Sequence, residues 1–366
     1  LLVISFDGVS DREFQAMAAD PAAYPNIARF MDSAHYRGDV KSVFVSNTYP
    51  VHASIATGKL PREHGVTSNL VHAGRKWRWA RMASDFKCET LWDKLHHAGR
   101  TTAAILWPTT GGAKTIRWNM PEVPPWPGGG IPIIEGVRQG STAFQIKSIL
   151  RHCGKLFRKL PQPGIDNFAL AVTCDLLRAH RPDLTLLHLL AYDLIRHKVG
   201  GENEALNTGR ASLDSSLGRL LEVADDMPVL IFSDHAHLDV EETLDLSKLL
   251  GDDLFEQCCG SAFLKRPVEG IEQKPWFGRF LTPQELEDSG YAPHAPCGIA
   301  AKPGYRFSFI SNKSDHGYPT DYENYRVFYA LRSKNPPPPP IHGDVRDITA
   351  IIARELGLDL ETSVTP

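Results

Sequence analysis

Leu1-Leu2-Val3-Ile4-Ser5-Phe6-Asp7-Gly8 opens the chain as an apolar run without polar alternation, closed by an acid and a glycine. Such a run reads as a strand buried on both faces, of the kind found in parallel sheets. Similar runs recur at residues 101–107, 184–190 and 229–232. Helical patterns lie between them. Pro25 stands near the start of one, followed by Ile27, Phe30 and Met31 at helical spacing. Leu213, Leu217, Leu220 and Leu221 stripe another, and Val345, Ile348, Ile351, Ile352 and Leu356 mark a closing helix after the extended connector 336–340. Strands alternating with helices predict an α/β architecture, with a mostly parallel sheet covered by helices on both faces.

The chain has 366 residues, 42% hydrophobic and 23% charged, with a net charge of −3. These values exclude disordered and fibrous classes and give no basic surface for a nucleic-acid polymer. Six cysteines without a C-x-x-C pair form no disulfide framework and read as incidental thiols. No run has the length of a membrane span. Residues 1–6 lack the flanks of a signal peptide, although a start at Leu1 rather than Met leaves room for a removed leader. The expected compartment is the cytoplasm, and nothing in the chain specifies an oligomeric state.

The chemistry sits where the apolar runs end. Asp7 follows the first, Asp193 and His197 follow the run 184–190, Asp234 and His235 follow 229–232, and His316 lies further on. In a doubly wound sheet, ligands gather beyond the carboxyl ends of the strands, so these side chains are expected to converge. With Thr48 they supply three carboxylates, three imidazoles and one hydroxyl. That is the donor inventory of a hydrolytic site with two divalent ions. Thr48 is placed in a polar loop constrained by Pro50, ahead of a helix at 54–58. Near a helix N-terminus and a cation its hydroxyl becomes a nucleophile; taken singly it would be a cap or turn residue.

The ordered set Phe6-Asp7-Gly8, Asn47-Thr48-Tyr49-Pro50, Pro61 to Asn69, Asp193 to Gly200, Ser233-Asp234-His235 and His316-Gly317-Tyr318 resembles the nucleotide pyrophosphatase/phosphodiesterase family of the alkaline phosphatase superfamily. The resemblance implies an alkaline-phosphatase-like core and two zinc ions. One would be held by Asp7, Thr48, Asp234 and His235, the other by Asp193, His197 and His316. It further implies that Thr48 attacks phosphorus to form a phosphothreonine, that Asn69 donates a hydrogen bond to a phosphoryl oxygen, and that Tyr49 contacts the leaving or base moiety. The substrate would be a small phosphodiester or nucleotide. Members commonly carry Gly after the Asp-His pair, whereas here Ala236-His237-Leu238 follows and brings an extra imidazole near the turn. The other histidines, His52, His64 and His188 among them, are read as surface or hydrogen-bonded structural residues.

Two alternatives accompany this reading: hydrolysis of a C–P bond, as in the similar phosphonoacetate hydrolases, and an inactive superfamily member that binds a phosphorylated ligand. Three regions break the regular pattern. Residues 77–79 and 121–132 are expected to be loops over the site, and 251–311 an inserted small α+β subdomain between core segments 1–250 and 312–366.

Overall fold

The computed structural model describes residues 1–73, 76–124, 132–156, 164–201 and 203–359. Its centre is a seven-stranded sheet in the order His35–Val40, Val327–Arg332, Val229–Phe232, Leu2–Phe6, Leu184–Leu189, Thr102–Ile105, Trp118–Met120. Among these strands, Val327–Arg332 runs antiparallel to both neighbours, and the others share one direction. The α/β expectation is met.

Alternate residues of the first strand face opposite layers. Leu2, Ile4 and Phe6 pack with Phe14, Leu213, Leu217 and Leu220, while Val3 packs with Val51, Ile55, Trp107 and the closing-helix residues Ile348 and Ile352. Both layers are apolar, which is why the strand shows no alternation. The closing helix itself is Asp347–Leu356.

Leu2–Phe6 lies between Leu184–Leu189 and Val229–Phe232, with Phe6 opposite Leu189 and Ser5 opposite Phe232. All three strands therefore release their chains at one edge. Asp7 leaves the middle strand, its N–H bonded to the Leu189 carbonyl at 3.1 Å. Asp234 leaves its neighbour, and Asp193 lies in the first turn of the helix Ala191–Val199 that follows the other.

Beyond this sheet, Leu254–Cys258, Ser261–Leu264, Cys297–Ala301 and Phe277–Phe280 form a four-stranded antiparallel sheet. Gly304–Phe307 and Ser314–Asp315 both pair with Leu238–Leu244.

Two local expectations are corrected. Thr48 is not in a loop but is the first residue of the helix Thr48–Thr57. Pro50 is compatible with this because first-turn N–H groups have no intrahelical acceptor to lose. Residues 77–79 are not a loop either: Leu70–Ala73 and Lys76–Trp79 pair as an antiparallel hairpin. Of the third expected loop, 121–132, residues 125–131 with Trp126 lie outside the described residues. All six cysteines are free. Among the described residues no helix is long and apolar enough to cross a membrane.

Candidate metal centre

Thr48, Asp7, Asp234 and His235 meet at one point. The Thr48 hydroxyl lies 3.2 Å from His235 Nε2. That nitrogen is also 3.4 Å from Asp7 Oδ1 and 3.4 Å from Asp234 Oδ2. Asp7 Oδ1 and Asp234 Oδ2 are buried without a hydrogen-bond partner. Unpaired carboxylate oxygens in a dry interior are costly, and a cation among them removes the cost. Burial pushes the Asp7 carboxyl well above the usual carboxylate range, and Asp234 and Asp193 push it the same way. The residues therefore fit a divalent cation.

Backbone groups fix this nest. Gly8 N–H donates to Asp234 Oδ1 at 3.2 Å and Val9 N–H to Ser233 Oγ at 3.1 Å, so the turns after two adjacent strands hold each other. Gly8 has a φ of +72°, and a Cβ there would stand 2.8 Å from His237 Nε2. Glycine is required on both counts. His52 donates from Nδ1 to the Thr48 carbonyl at 2.8 Å, which ties the helix start to the floor of the site.

The remaining donors adjoin the first nest. Asp193 and His197 stand four residues apart on one helix face, with His197 Nε2 3.4 Å from Asp193 Oδ2. Asp193 also groups with His235 and His316, their ligating atoms within 4.8 Å of one another; Asp193, His197 and His237 form such a group, as do His197, Asp315 and His316. The rings of His235 and His316 are 4.0 Å apart between centroids. All seven sequence-predicted donors thus come to one edge of the sheet.

Their protons are set from behind. His197 Nδ1 donates to the Ser314 carbonyl at 2.8 Å and His316 Nδ1 to Asn47 Oδ1 at 2.8 Å, which leaves both Nε2 atoms as lone-pair donors. Burial, then the His235 and His197 imidazoles, hold His316 well below its usual pKa. Burial alone would lower His197, yet the Asp193 and Asp315 carboxylates hold it above the usual range. Asp193 is pushed up by burial, but His197 and His237 outweigh that and keep it well below the ordinary carboxylate value.

Asn69 is half-buried beside the nucleophile, its Oδ1 accepting the Tyr49 N–H at 2.9 Å. Its amide NH₂ is thereby the end left for a ligand. Tyr49 is only 1% exposed, its ring 5.4 Å from that of Trp79.

Two further histidines touch the carboxylates directly: His188, read from the sequence as structural, and His237, the extra imidazole after the Asp-His pair. His188 Nε2 lies 3.0 Å from Asp7 Oδ2, and His237 Nε2 lies 2.7 Å from Asp193 Oδ1. The signal for His188 was present, since an imidazole inside the apolar run 184–190 must find a buried partner. His64 matches its structural reading: its Nε2 meets Ser54 Oγ at 2.9 Å and its Nδ1 accepts the Val66 N–H at 3.1 Å.

Comparison with known proteins bears on the family and the fold. Curated relatives include a bis(5'-adenosyl)-triphosphatase of Pongo abelii, 28% identical over 118 residues, which are 30% of this chain and 25% of that protein. The corresponding protein of Xenopus laevis is 33% identical over 72 residues, 20% of this chain and 15% of that protein. The matched stretches therefore span a quarter or less of these relatives' own length. Among solved structures, murine ectonucleotide pyrophosphatase/phosphodiesterase 5 superposes with a TM-score of 0.69 at 16% identity, covering 98% of this chain and 95% of that one. Phosphonoacetate hydrolase from Sinorhizobium meliloti 1021 superposes with a TM-score of 0.68 at 15% identity, covering 97% and 95%. These two establish likeness of fold. A family model described as type I phosphodiesterase/nucleotide pyrophosphatase matches residues 1–323. By that match over most of its length, the chain belongs to the type I phosphodiesterase/nucleotide pyrophosphatase family.

Proposed function

We propose that the chain is a hydrolase of small phosphodiesters or phosphoanhydrides, nucleotides among them, working through a phosphothreonine at Thr48. The observation that carries this is the meeting of the Thr48 hydroxyl with His235 Nε2 at 3.2 Å, beside the unpaired Asp7 and Asp234 oxygens. Asp7, Thr48, Asp234 and His235 would hold one cation, and Asp193, His197 and His316 the other. Two divalent ions, zinc by the His/Asp donor mix, supply charge neutralisation of the phosphoryl oxygens and favour ionised forms of the threonine hydroxyl and of water.

The chain's own residues do the rest. Thr48 opens a helix, whose N-terminal dipole favours an anionic nucleophile. Its Oγ1 attacks phosphorus in line, forming the Oγ–P bond as the bond to the leaving oxygen breaks. Water then attacks the phosphothreonine, and the Oγ–P bond breaks to restore the hydroxyl. The Asn69 NH₂ donates to a phosphoryl oxygen as charge develops there. Tyr49, packed on Trp79, backs the leaving-group side. The murine structural neighbour described as inactive is a threonine-to-alanine variant in complex with AMP, which supports a threonine in this role. We also propose that residues 251–311 act as an inserted subdomain, joined to the core through the pairing of Gly304–Phe307 with Leu238–Leu244.

The test compares bis-p-nitrophenyl phosphate, p-nitrophenyl phosphate and the p-nitrophenyl ester of thymidine 5′-monophosphate on metal-stripped and zinc-reloaded protein. The expected result is zinc-dependent turnover of a diester well above the monoester. Monoester preference would overturn the diesterase reading. Absence of turnover with two ions bound would overturn it too and direct attention to phosphonoacetate; absence of bound metal would favour a phospholigand-binding protein.

A further inference from the structure

Each carboxylate of the centre divides its two oxygens between different tasks. Asp7 turns Oδ1 to His235 Nε2 at 3.4 Å and Oδ2 to His188 Nε2 at 3.0 Å. Asp193 turns Oδ2 to His197 Nε2 at 3.4 Å and Oδ1 to His237 Nε2 at 2.7 Å. Asp234 repeats the division with a backbone donor, Oδ2 facing His235 and Oδ1 accepting the Gly8 N–H.

The distances sort these contacts. Donors sharing a tetrahedral zinc at bond lengths of about 2.0–2.1 Å stand about 3.3–3.4 Å apart. Contacts of about 2.7–3.0 Å are hydrogen bonds. His188 and His237 therefore stand outside the donor shell. A carboxylate only accepts, so each imidazole donates its Nε2–H. Both rings are buried and held from the far side: His188 Nδ1 faces the Leu106 carbonyl at 3.2 Å, and His237 Nδ1 meets Ser314 Oγ at 3.1 Å. Ser314 thus steadies His237 through its hydroxyl and His197 through its carbonyl.

We propose that His188 and His237 are paired positioning residues that occupy the outer oxygens of Asp7 and Asp193, leaving each carboxylate one oxygen for its cation and biasing the centre toward zinc over manganese. The proposal rests on the two-cation reading above. A carboxylate with both oxygens free can bind two-pronged and so serve cations of higher coordination number. Here the second oxygen is released only by breaking a buried hydrogen bond to a charged acceptor. Gly8 makes room for this arrangement, since a Cβ there would meet His237 Nε2 at 2.8 Å.

The test uses metal-stripped full-length protein as wild type, His188→Leu, His237→Leu, His188→Gln and His237→Gln. Zinc and manganese affinities are measured by equilibrium competition, and the visible absorption band of the cobalt-loaded protein is recorded, strong for four-coordinate and weak for six-coordinate cobalt. Each leucine variant is expected to lose about tenfold or more in zinc-over-manganese preference and to show a weakened cobalt band. Each glutamine variant, keeping an N–H near the Nε2 position, is expected to retain most of both. Thermal unfolding of the metal-free variants identifies any that fail to fold, in which case the glutamine variant decides. Leucine variants with the wild-type metal ratio and cobalt band would overturn the proposal, as would glutamine variants no better than leucine. A wild-type protein that binds no cation would instead overturn the reading beneath it.

Discussion

Asp166 Oδ2 accepts the backbone N–H of Ala191 at 3.1 Å. Its Oδ1 takes the Leu190 N–H at the same distance. The helix Ala191–Val199 has no side-chain cap of its own, so its first donors are satisfied from the neighbouring helix Gly164–His180. Asp193 and His197 ride on the helix so anchored.

That anchor has a pH signature. Burial pushes Asp166 up to about 7 from 3.8, against the pull of its two backbone donors. The folded protein then binds the proton more tightly than the unfolded chain, so stability falls as pH rises through that window and levels off above it. Asp166→Asn cannot titrate and should lack this slope. Melting temperatures of both proteins across the window should diverge in the variant's favour as pH rises; parallel curves would remove Asp166 as the cause.

A second anchor is ionic. Glu13 pairs with Arg196, which lies between Asp193 and His197 on their helix, and also accepts the Tyr192 hydroxyl at 2.7 Å. Burial pushes Glu13 up, but Arg196, Ser10 and Tyr192 outweigh it and hold the carboxyl below its ordinary value. This stabilisation is present above the ordinary carboxylate pKa and lost as pH falls through the lowered one. Glu13→Ala leaves a largely buried guanidinium without its main partner, and urea unfolding at neutral pH should register a loss of about 3 kcal/mol. A loss under about 1 kcal/mol would mean that Asp239, whose Oδ1 lies 3.7 Å from the Arg196 guanidinium, or solvent takes over the charge.

Thr48→Ala is expected to lower steady-state diester turnover by at least about 10³-fold while retaining bound metal, because the aspartates and histidines still form the cage. Metal analysis beside the rate assay checks both halves. Wild-type turnover in this variant would dismiss Thr48 as nucleophile.

Asn69→Asp separates two tasks of one side chain. Aspartate can still accept the Tyr49 N–H but cannot donate to a phosphoryl oxygen, so kcat should fall by about 10²-fold with little change in melting temperature. A variant that melts early at unchanged kcat would reduce Asn69 to a turn residue.

Four strands of the sheet were legible because burial on both faces writes them as unbroken apolar runs, and Asp7 and Asp234 stand just after two of these. His35–Val40, whose residues are alternately exposed, and Trp118–Met120 carry no such run, and neither they nor Val327–Arg332 were read. Thr48 was legible as a residue and not as the first residue of a helix, since Pro50 reads as a break unless it falls in the first turn. The hairpin at Leu70–Ala73 and Lys76–Trp79 was missed because Trp77-Arg78-Trp79 is too short to display a period.

By itself the sequence determined the α/β class and the family, and it supplied the seven proposed donors, all through local pattern and order along the chain. Only the tertiary structure decided which oxygen of each carboxylate faces inward, that His188 and His237 hold the outer ones, and that Asp166 and Glu13 anchor the donor helix. These contacts join residues far apart in the chain, Asp7 and His188 by 181 positions and Glu13 and Arg196 by 183. Their partners are chosen by strand order and register, and neither is written in the neighbours of any one residue.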